Sequence, residues 1–458
     1  MNLRGYIVLI LIFLVSACKK DFLEVKSDKK LVIPATLQDF QALLDNTDVM
    51  NANMPNLGEI GTDDYYLKYE TWNIISQPNE KNAYIWAKDV YQGINSFGDW
   101  TNRYRAVFYA NNVLEGLEKL NEQDDREIYR SIKGSALFFR AYAFFQLAQI
   151  FCEPYSSSSE NSGYGIPLRL KSDINAPSSR ASIQDTYNQI LSDLNQAVIL
   201  LPKSTVVKTR PTKAAANALL SRLYLVMQDY KNALSSANSA LEDSKALLDY
   251  NSLNTSPPFP FQRYNGEVIF QSTTIYARVL ASSRLIVDST LYKSYSDFDL
   301  RKRLFFTASG VNKTFKGSYD GSSVYFSGLA NDELYLNKAE CLARIGQIDE
   351  SMNILNEFLA TRWKIDPLTK KSYYTNQKAK DQQDALNIVL SERRKELIFR
   401  NVRWTDLRRL NTSPQTSVSI YRKLNGQTYE LKPNSKNYTL PIQDDVIQLS
   451  GIPQNPRD

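Results

Sequence analysis

No histidine occurs anywhere in the 458 residues. Histidine is the side chain that normally changes charge near neutral pH. Its absence excludes Ser-His-Asp and Cys-His catalytic groupings and every imidazole-held metal. Cysteine is nearly absent too, with only Cys18, Cys152 and Cys341. The last two sit in apolar helical runs, Leu147–Cys152 and Ala339–Ala343, and read as buried, inert thiols. Whether they pair cannot be deduced from sequence. No glycine-rich loop has nucleotide-cradling spacing. The acidic pairs Asp63-Asp64 and Asp444-Asp445 lack a Ca²⁺-loop pattern, so neither a metal nor a cofactor is assigned. The apolar run Tyr6–Val15 is too short for a bilayer that takes about 20 residues. Charge of one sign is also lacking: 55 basic residues face 49 acidic ones. The basic residues are scattered, which argues against nucleic acid as a partner.

Tyrosine is abundant, at 28 residues. Its ring offers a flat apolar face and a polar tip, suited to wet binding surfaces. At the N-terminus, Arg4 and Tyr6–Val15 make a targeting segment over residues 1–17. Val15-Ser-Ala-Cys18 is similar to a bacterial lipobox. One reading lipidates Cys18; the other is an ordinary cleavage site beside a chance cysteine. Placement of Cys18 directly after small residues favours lipidation, with a mature chain of 18–458.

The remainder reads as mainly α. Pro34–Leu44 is a short helix capped by Thr36, with Asp39 three residues on. Residues 46–71 are loop-rich. Helical periodicity covers Trp86–Leu120, Asp125–Phe151, Ser182–Leu201, Thr212–Met227 and Tyr230–Leu241. It returns over Asp332–Ile345, Asp349–Arg362 and Asp384–Phe399. The run Gly134–Leu147 is apolar nearly all round, which makes its helix central. Ser221 and Ala233 are small residues twelve apart, as are Ala339 and Ser351. This is tetratricopeptide-like spacing, in which small residues mark the crossing of paired helices. It predicts an αα superhelix over about residues 86–241 and 331–400. Between the two copies lies a long irregular insertion, 243–327, with short strands expected at Glu267–Phe270 and Ser323–Phe326. From Thr412 the tail reads as loop.

Leu390–Leu410 mixes Arg and Glu with Leu, Ile, Phe and Trp. Glu392 and Glu396 share a helix face. They are either a catalytic acid pair, which in glycosidases stands about 5–10 Å apart, or struts holding the arginines beyond the helix end. Charged groups set among apolar ones are usually paired for structural reasons, which favours struts. Asn401 suits a left-handed helix end, and Trp404 reads as core. The non-helical stretches supply the candidate ligand contacts: Asp63, Asp64, Tyr65, Tyr66 and Trp72 in one, Tyr276, Arg278 and Tyr319 in the other. Such aromatics can stack on sugar faces while Asp or Arg bonds hydroxyls.

Several stretches together resemble the SusD/RagB family of surface lipoproteins. They are Cys18-Lys-Lys-Asp-Phe-Leu, Trp100–Leu114, Phe139–Leu147 with Gly165-Ile-Pro-Leu, Lys213–Leu225, Glu333–Gly346, Leu390–Leu410 and the Pro441…Gln454-Asn-Pro456 ending. The resemblance spans nearly the whole chain. It departs at Arg400-Asn401, where the family usually has Glu-Gly. It implies one SusD-like domain over 18–458: about four tetratricopeptide-like helix pairs, a loop-rich ligand face and minor β. It further implies a non-enzymatic protein, lipid-anchored on the outer membrane and facing the exterior. Such a protein would bind glycans, or in a RagB-like variant peptides, and deliver them to a SusC-like TonB-dependent barrel. Leu291–Tyr295 and Asp299–Arg301 resemble a structural element of the family.

Overall fold

In a computed structural model, residues 34–94 and 98–458 are described. The targeting segment and Cys18 lie outside them. Helix α1, Leu37–Leu44, opens with the expected box: the Asp39 N–H donates to the Thr36 hydroxyl, and the Asp39 carboxylate accepts from the Thr36 N–H. Phe40 of α1 fills a hollow over Gly116, where a Cβ would lie 2.2 Å from the ring. Gly116 belongs to α2, Gly98–Leu117. The helical reading of Trp86–Leu120 therefore begins late, since residues 86–94 are irregular, with Trp86 and Gln92 at positive φ.

The stack continues with α3 (Arg126–Phe151), α4 (Ile183–Leu200), α5 (Lys213–Val226), α6 (Tyr230–Asp243), α7 (Asn331–Arg344), α8 (Ile348–Ala360) and α9 (Gln382–Glu396). Each helix from α2 to α8 packs on its neighbour in sequence, and α9 packs on α7 and α8. Four successive helix pairs result. Side-chain caps set several starts: Ser182, Thr212, Asp229 and Asp381 each accept a backbone N–H from the first turn. From Gly134 onward α3 is buried on every side, as its sequence requires. The repeat spacing has a direct cause. Ser351 is fully buried at the α7/α8 crossing and its hydroxyl donates to Ala339 O at 2.7 Å. Ser221 and Ala233 are likewise buried, and Asn337 of α7 donates to the Ser221 hydroxyl at 3.2 Å.

Short antiparallel pairs knit the insertion to the helices. Strand β1, Tyr65–Tyr66, pairs with β3, Ile286–Val287; β2, Val268–Phe270, pairs with β6, Leu329–Ala330. A hairpin joins β4 (Phe306–Ser309) to β5 (Asn312–Phe315). Ser323–Phe326 forms no strand; only Phe326 makes a single bridge, to Thr273. The tail is more ordered than its sequence suggested. Strands β7 (Ile420–Leu424) and β8 (Gln427–Leu431) form a hairpin over Asn425-Gly426, both at positive φ. That geometry is the one an Asn-Gly pair supports in a two-residue turn.

Helix α9 ends at Glu396, three residues before expected, and Asn401 takes φ 58°. A further helix, α10 (Arg403–Leu410), follows. Its Trp404 is core. Added Cβ atoms at Gly58 and Gly61 would lie 2.6 and 2.8 Å from its ring, and Tyr438 packs at 5.0 Å. Cys152 and Cys341 are buried free thiols. Trp404→Ala should therefore lower the unfolding free energy by about 3–5 kcal/mol in chemical denaturation.

Candidate functional site

Glu392 and Glu396 are not aimed into a cleft. Both are buried, and both hold arginines. Arg301, from the insertion, donates to Glu392 at 2.6 Å, Glu396 at 3.3 Å and Asp299 at 2.7 Å. Arg362, after α8, bridges Glu396 and Glu267 at 2.9 and 2.8 Å. Arg400 binds Asp332 at 2.7 Å and lies over the rings of Tyr319 and Phe326. This explains the departure at Arg400-Asn401: the reversed charge has a carboxylate of its own, and Asn401 donates to Pro55 O at 3.0 Å. Glu267, Asp332 and Glu396 bring carboxylate oxygens within 4.8 Å of one another. Guanidinium groups already supply the positive charge that a cation would bring there. The glutamates are struts, though for Arg301 and Arg362 rather than for the arginines beyond the helix end, because every acid in the group is spent on a fixed arginine.

A second buried set ties α10 to the stack. Arg409 grips Glu340 of α7 at 2.6 and 2.7 Å, and Arg393 and Arg409 share Asp406 at 2.8 Å each.

These frames absorb several candidate contacts. Tyr319 is buried, bonded to Glu267 at 2.7 Å and to the Tyr250 hydroxyl at 2.6 Å. Tyr65 is buried with its hydroxyl on Ile60 O. Asp63 pairs with Arg403 at 2.8 Å, and Asp64 with Arg394 at 2.8 Å. Burial opposes the Asp63 charge, yet Arg403 and Arg394 hold its carboxyl well below the usual carboxylate range. Asp63, Asp64, Tyr65 and Tyr319 are thus structural, and their reading as ligand contacts is corrected. Tyr295 is buried as well, with its hydroxyl on Lys395 O.

The remaining candidates lie where two loops meet. The β1/β3 pairing sets Tyr66 outward beside Ile286. Trp72 is half-buried. Its indole N–H donates to Lys81 O at 3.0 Å, and the Lys81 ammonium sits 4.5 Å over the ring. Arg278 donates to the Ser76 hydroxyl at 2.6 Å, joining the loops. Glu80 reinforces the joint by accepting the Val279 N–H at 2.8 Å. Tyr276 is 54 % exposed and borders a hollow of about 140 Å³, lined also by Phe259, Tyr325, Lys316 and several serines. The hydroxyls of Ser282, Ser283 and Ser323 make no hydrogen bond among the described residues. Phe259 and the serines were not among the candidates; the Pro-Pro-Phe-Pro run at 257–260 was the visible signal for the former. A larger apolar groove of about 340 Å³, between α2 and residues 167–178, is lined by Trp100, Tyr104, Val107 and Phe108. Its polar loop atoms are largely engaged: Tyr104 donates to Pro167 O, and Asn111 to Arg169 O.

A family model described as "Starch-binding associating with outer membrane" matches residues 21–225, and a model of the SusD family matches residues 331–457. The chain belongs to the SusD/RagB family. SusD-like protein P2 of Formosa agariphila is 25 % identical over 145 residues, 31 % of this chain and 26 % of that protein. The match thus spans about a quarter of that relative's length. Among solved structures, a putative sugar binding protein from Bacteroides vulgatus superposes with a TM-score of 0.74 at 20 % identity, covering 93 % of this chain and 99 % of that one. A SusD superfamily protein from Bacteroides thetaiotaomicron gives 0.69 at 22 % identity, covering 92 and 100 %. A laminarin binding SusD-like protein gives 0.63 at 18 %, covering 91 and 97 %. These likenesses establish the tetratricopeptide-like SusD fold. Residues 226–330, between the two family matches, hold Tyr276, Arg278 and most of the hollow.

The buried acids predict a stability maximum in pH. Glu340 is buried, but Arg409 and Arg344 override that cost and hold its pKa at about 2. Its contribution is present above the ordinary carboxylate value and lost as pH falls toward 2. Burial, with Asp332 and Glu396 nearby and Arg362 opposing, lifts Glu267 to about 7. Its contribution is full at low pH and lost as pH rises through 7. Denaturation midpoints should fall on both sides of about pH 5, and Glu267→Gln should flatten the alkaline side alone.

Proposed function

We propose that this SusD-family chain is the surface-binding subunit of a nutrient-uptake system. It captures oligosaccharide or polysaccharide on the loop face around Tyr276 and passes it to a SusC-like TonB-dependent barrel. The single observation that carries the reading is the hollow beside Tyr276. It combines exposed aromatic rings with unbonded serine hydroxyls, on loops pinned to a rigid helix stack. Rings suit the apolar faces of sugars, and free hydroxyls suit their polar edges. Trp72 and Tyr66 extend the same face. The laminarin-binding relative shares the fold, which makes glycan the preferred class over peptide.

Binding without turnover is the expected chemistry. Glu392 and Glu396 stay locked to Arg301 and Arg362, so neither carboxyl is free to protonate a glycosidic oxygen. Cys18 would carry the lipid that holds the mature chain, residues 18–458, at the outer face of the outer membrane. No helix among the described residues is long and apolar enough to cross a membrane.

Calorimetric titration against a glycan panel should give saturable binding with no reducing ends released. Tyr276→Ala should weaken that binding by about tenfold, roughly the worth of one lost stacking contact, with thermal unfolding unchanged. Clear peptide binding with no glycan bound would replace this reading by peptide uptake.

A further inference from the structure

The chemical class of the ligand is written in the charge of the insertion. Residues 257–326 contain nine basic and five acidic side chains. Every one of those acids is engaged. Glu267 and Asp299 belong to the buried arginine frame. Asp320 binds Arg263 at 3.2 Å and Gln271 at 2.9 Å. Asp288 caps the short helix Ser289–Lys293 by accepting the Leu291 N–H at 2.8 Å. Asp297 takes Lys302 at 2.8 Å. Among the described residues this leaves Arg278, Arg284, Lys293, Arg303, Lys313 and Lys316 with no carboxylate in ion-pair reach.

One of the six lines the hollow at Tyr276, and two more, Arg278 and Arg284, stand within two residues along the chain of the lining residues Tyr276 and Ser283. Lys316 lines it, its ammonium donating to Thr255 O at 2.6 Å. Arg284 follows the lining residues Ser282 and Ser283, and its Nη1 is buried with no acceptor. Arg278 has only the neutral Ser76 hydroxyl as a side-chain partner. Glu80 is a carboxylate that faces both arginines. It is buried, and burial raises its carboxyl above the ordinary range although the backbone N–H groups of Val279 and Arg278 pull the other way. That single acid does not offset two guanidinium groups and an ammonium.

We propose that the loop face binds an anionic polysaccharide, whose carboxylate or sulfate groups are held by Arg278, Arg284 and Lys316 while Tyr276 stacks on a sugar ring. This deepens the glycan-binding reading and rests on it. A guanidinium presents a planar fork that pairs two-to-two with carboxylate or sulfate oxygens, and such charge-assisted bonds are about twice as strong as neutral ones. A neutral glycan would bring these cations no opposite charge in return for the water it displaces.

Affinity electrophoresis of the intact chain tests this with polygalacturonate as the carboxylate probe, dextran sulfate as the sulfate probe and laminarin as the neutral one. Retardation by at least one anionic polymer, weakening as salt rises, is expected. The pair Arg278→Gln with Arg284→Gln should weaken it by about tenfold or more, while Lys119→Gln with Lys231→Gln, an equal charge loss in the turn after α2 and on α6, should change it by less than about twofold. Thermal unfolding confirms that both double variants are folded. Equal losses in the two pairs would mean diffuse charge attraction and overturn the proposal. Stronger binding of laminarin, still reduced by Tyr276→Ala, would overturn the anionic class and leave glycan binding standing. Binding of acidic peptides alone, or of none of the probes, would overturn both.

Discussion

Pairing of arginine with carboxylate in the dry interior is the constraint on which the remaining structure depends. Arg301, Arg362 and Arg400 are all buried, and each joins an element of the helix stack to the insertion or to the chain after α9. Removing such charges from water costs several kcal/mol per ion, recovered only when geometry is good and the remaining bonds are made. The frame therefore adds little net stability over a hydrocarbon core. What it imposes is specificity, because any misplacement of Asp299, Glu267 or Glu396 strands a buried charge. A largely irregular insertion acquires a fixed position in this way, without a helix or a large sheet of its own.

Rigidity of this kind has a functional consequence. Loops that are already ordered lose less freedom when a ligand arrives. The β1/β3 pairing, the Arg278–Ser76 bond and the Glu80–Val279 bond hold the two candidate ligand loops in register with each other. The helix stack below supplies the fixed floor. Charge is sorted within the insertion: Glu267 and Asp299 face inward to buried arginines, while Asp297 at the surface takes Lys302.

The helices were legible because their signals are local. Caps at Thr36, Ser182 and Thr212, an apolar face at the right period and small residues twelve apart each act within one or two turns. The family likeness read from scattered stretches fits two matches that flank the insertion. Ligand contacts were less legible. Tyr65 and Tyr319 sit in non-helical segments, as Tyr276 does, and nothing in their immediate neighbours distinguishes a buried hydroxyl from an exposed one. Tyr66 and Tyr65 face opposite sides of one short strand, yet both carried the same reading. Asp63 and Asp64 look like an exposed acidic turn until Arg394 and Arg403, more than three hundred residues later in the chain, arrive beside them. The β7/β8 hairpin was readable in principle from Asn425-Gly426 and was passed over.

The sequence by itself determined the helix stack and the exclusion of imidazole chemistry, and it favoured Glu392 and Glu396 as struts. Each follows from residue type and short-range spacing. Only the tertiary structure decided which aromatics face solvent, where Arg400 finds its partner and which basic residues remain unpaired. Those outcomes depend on contacts between residues far apart in the chain, and burial, unlike periodicity, is not a local property.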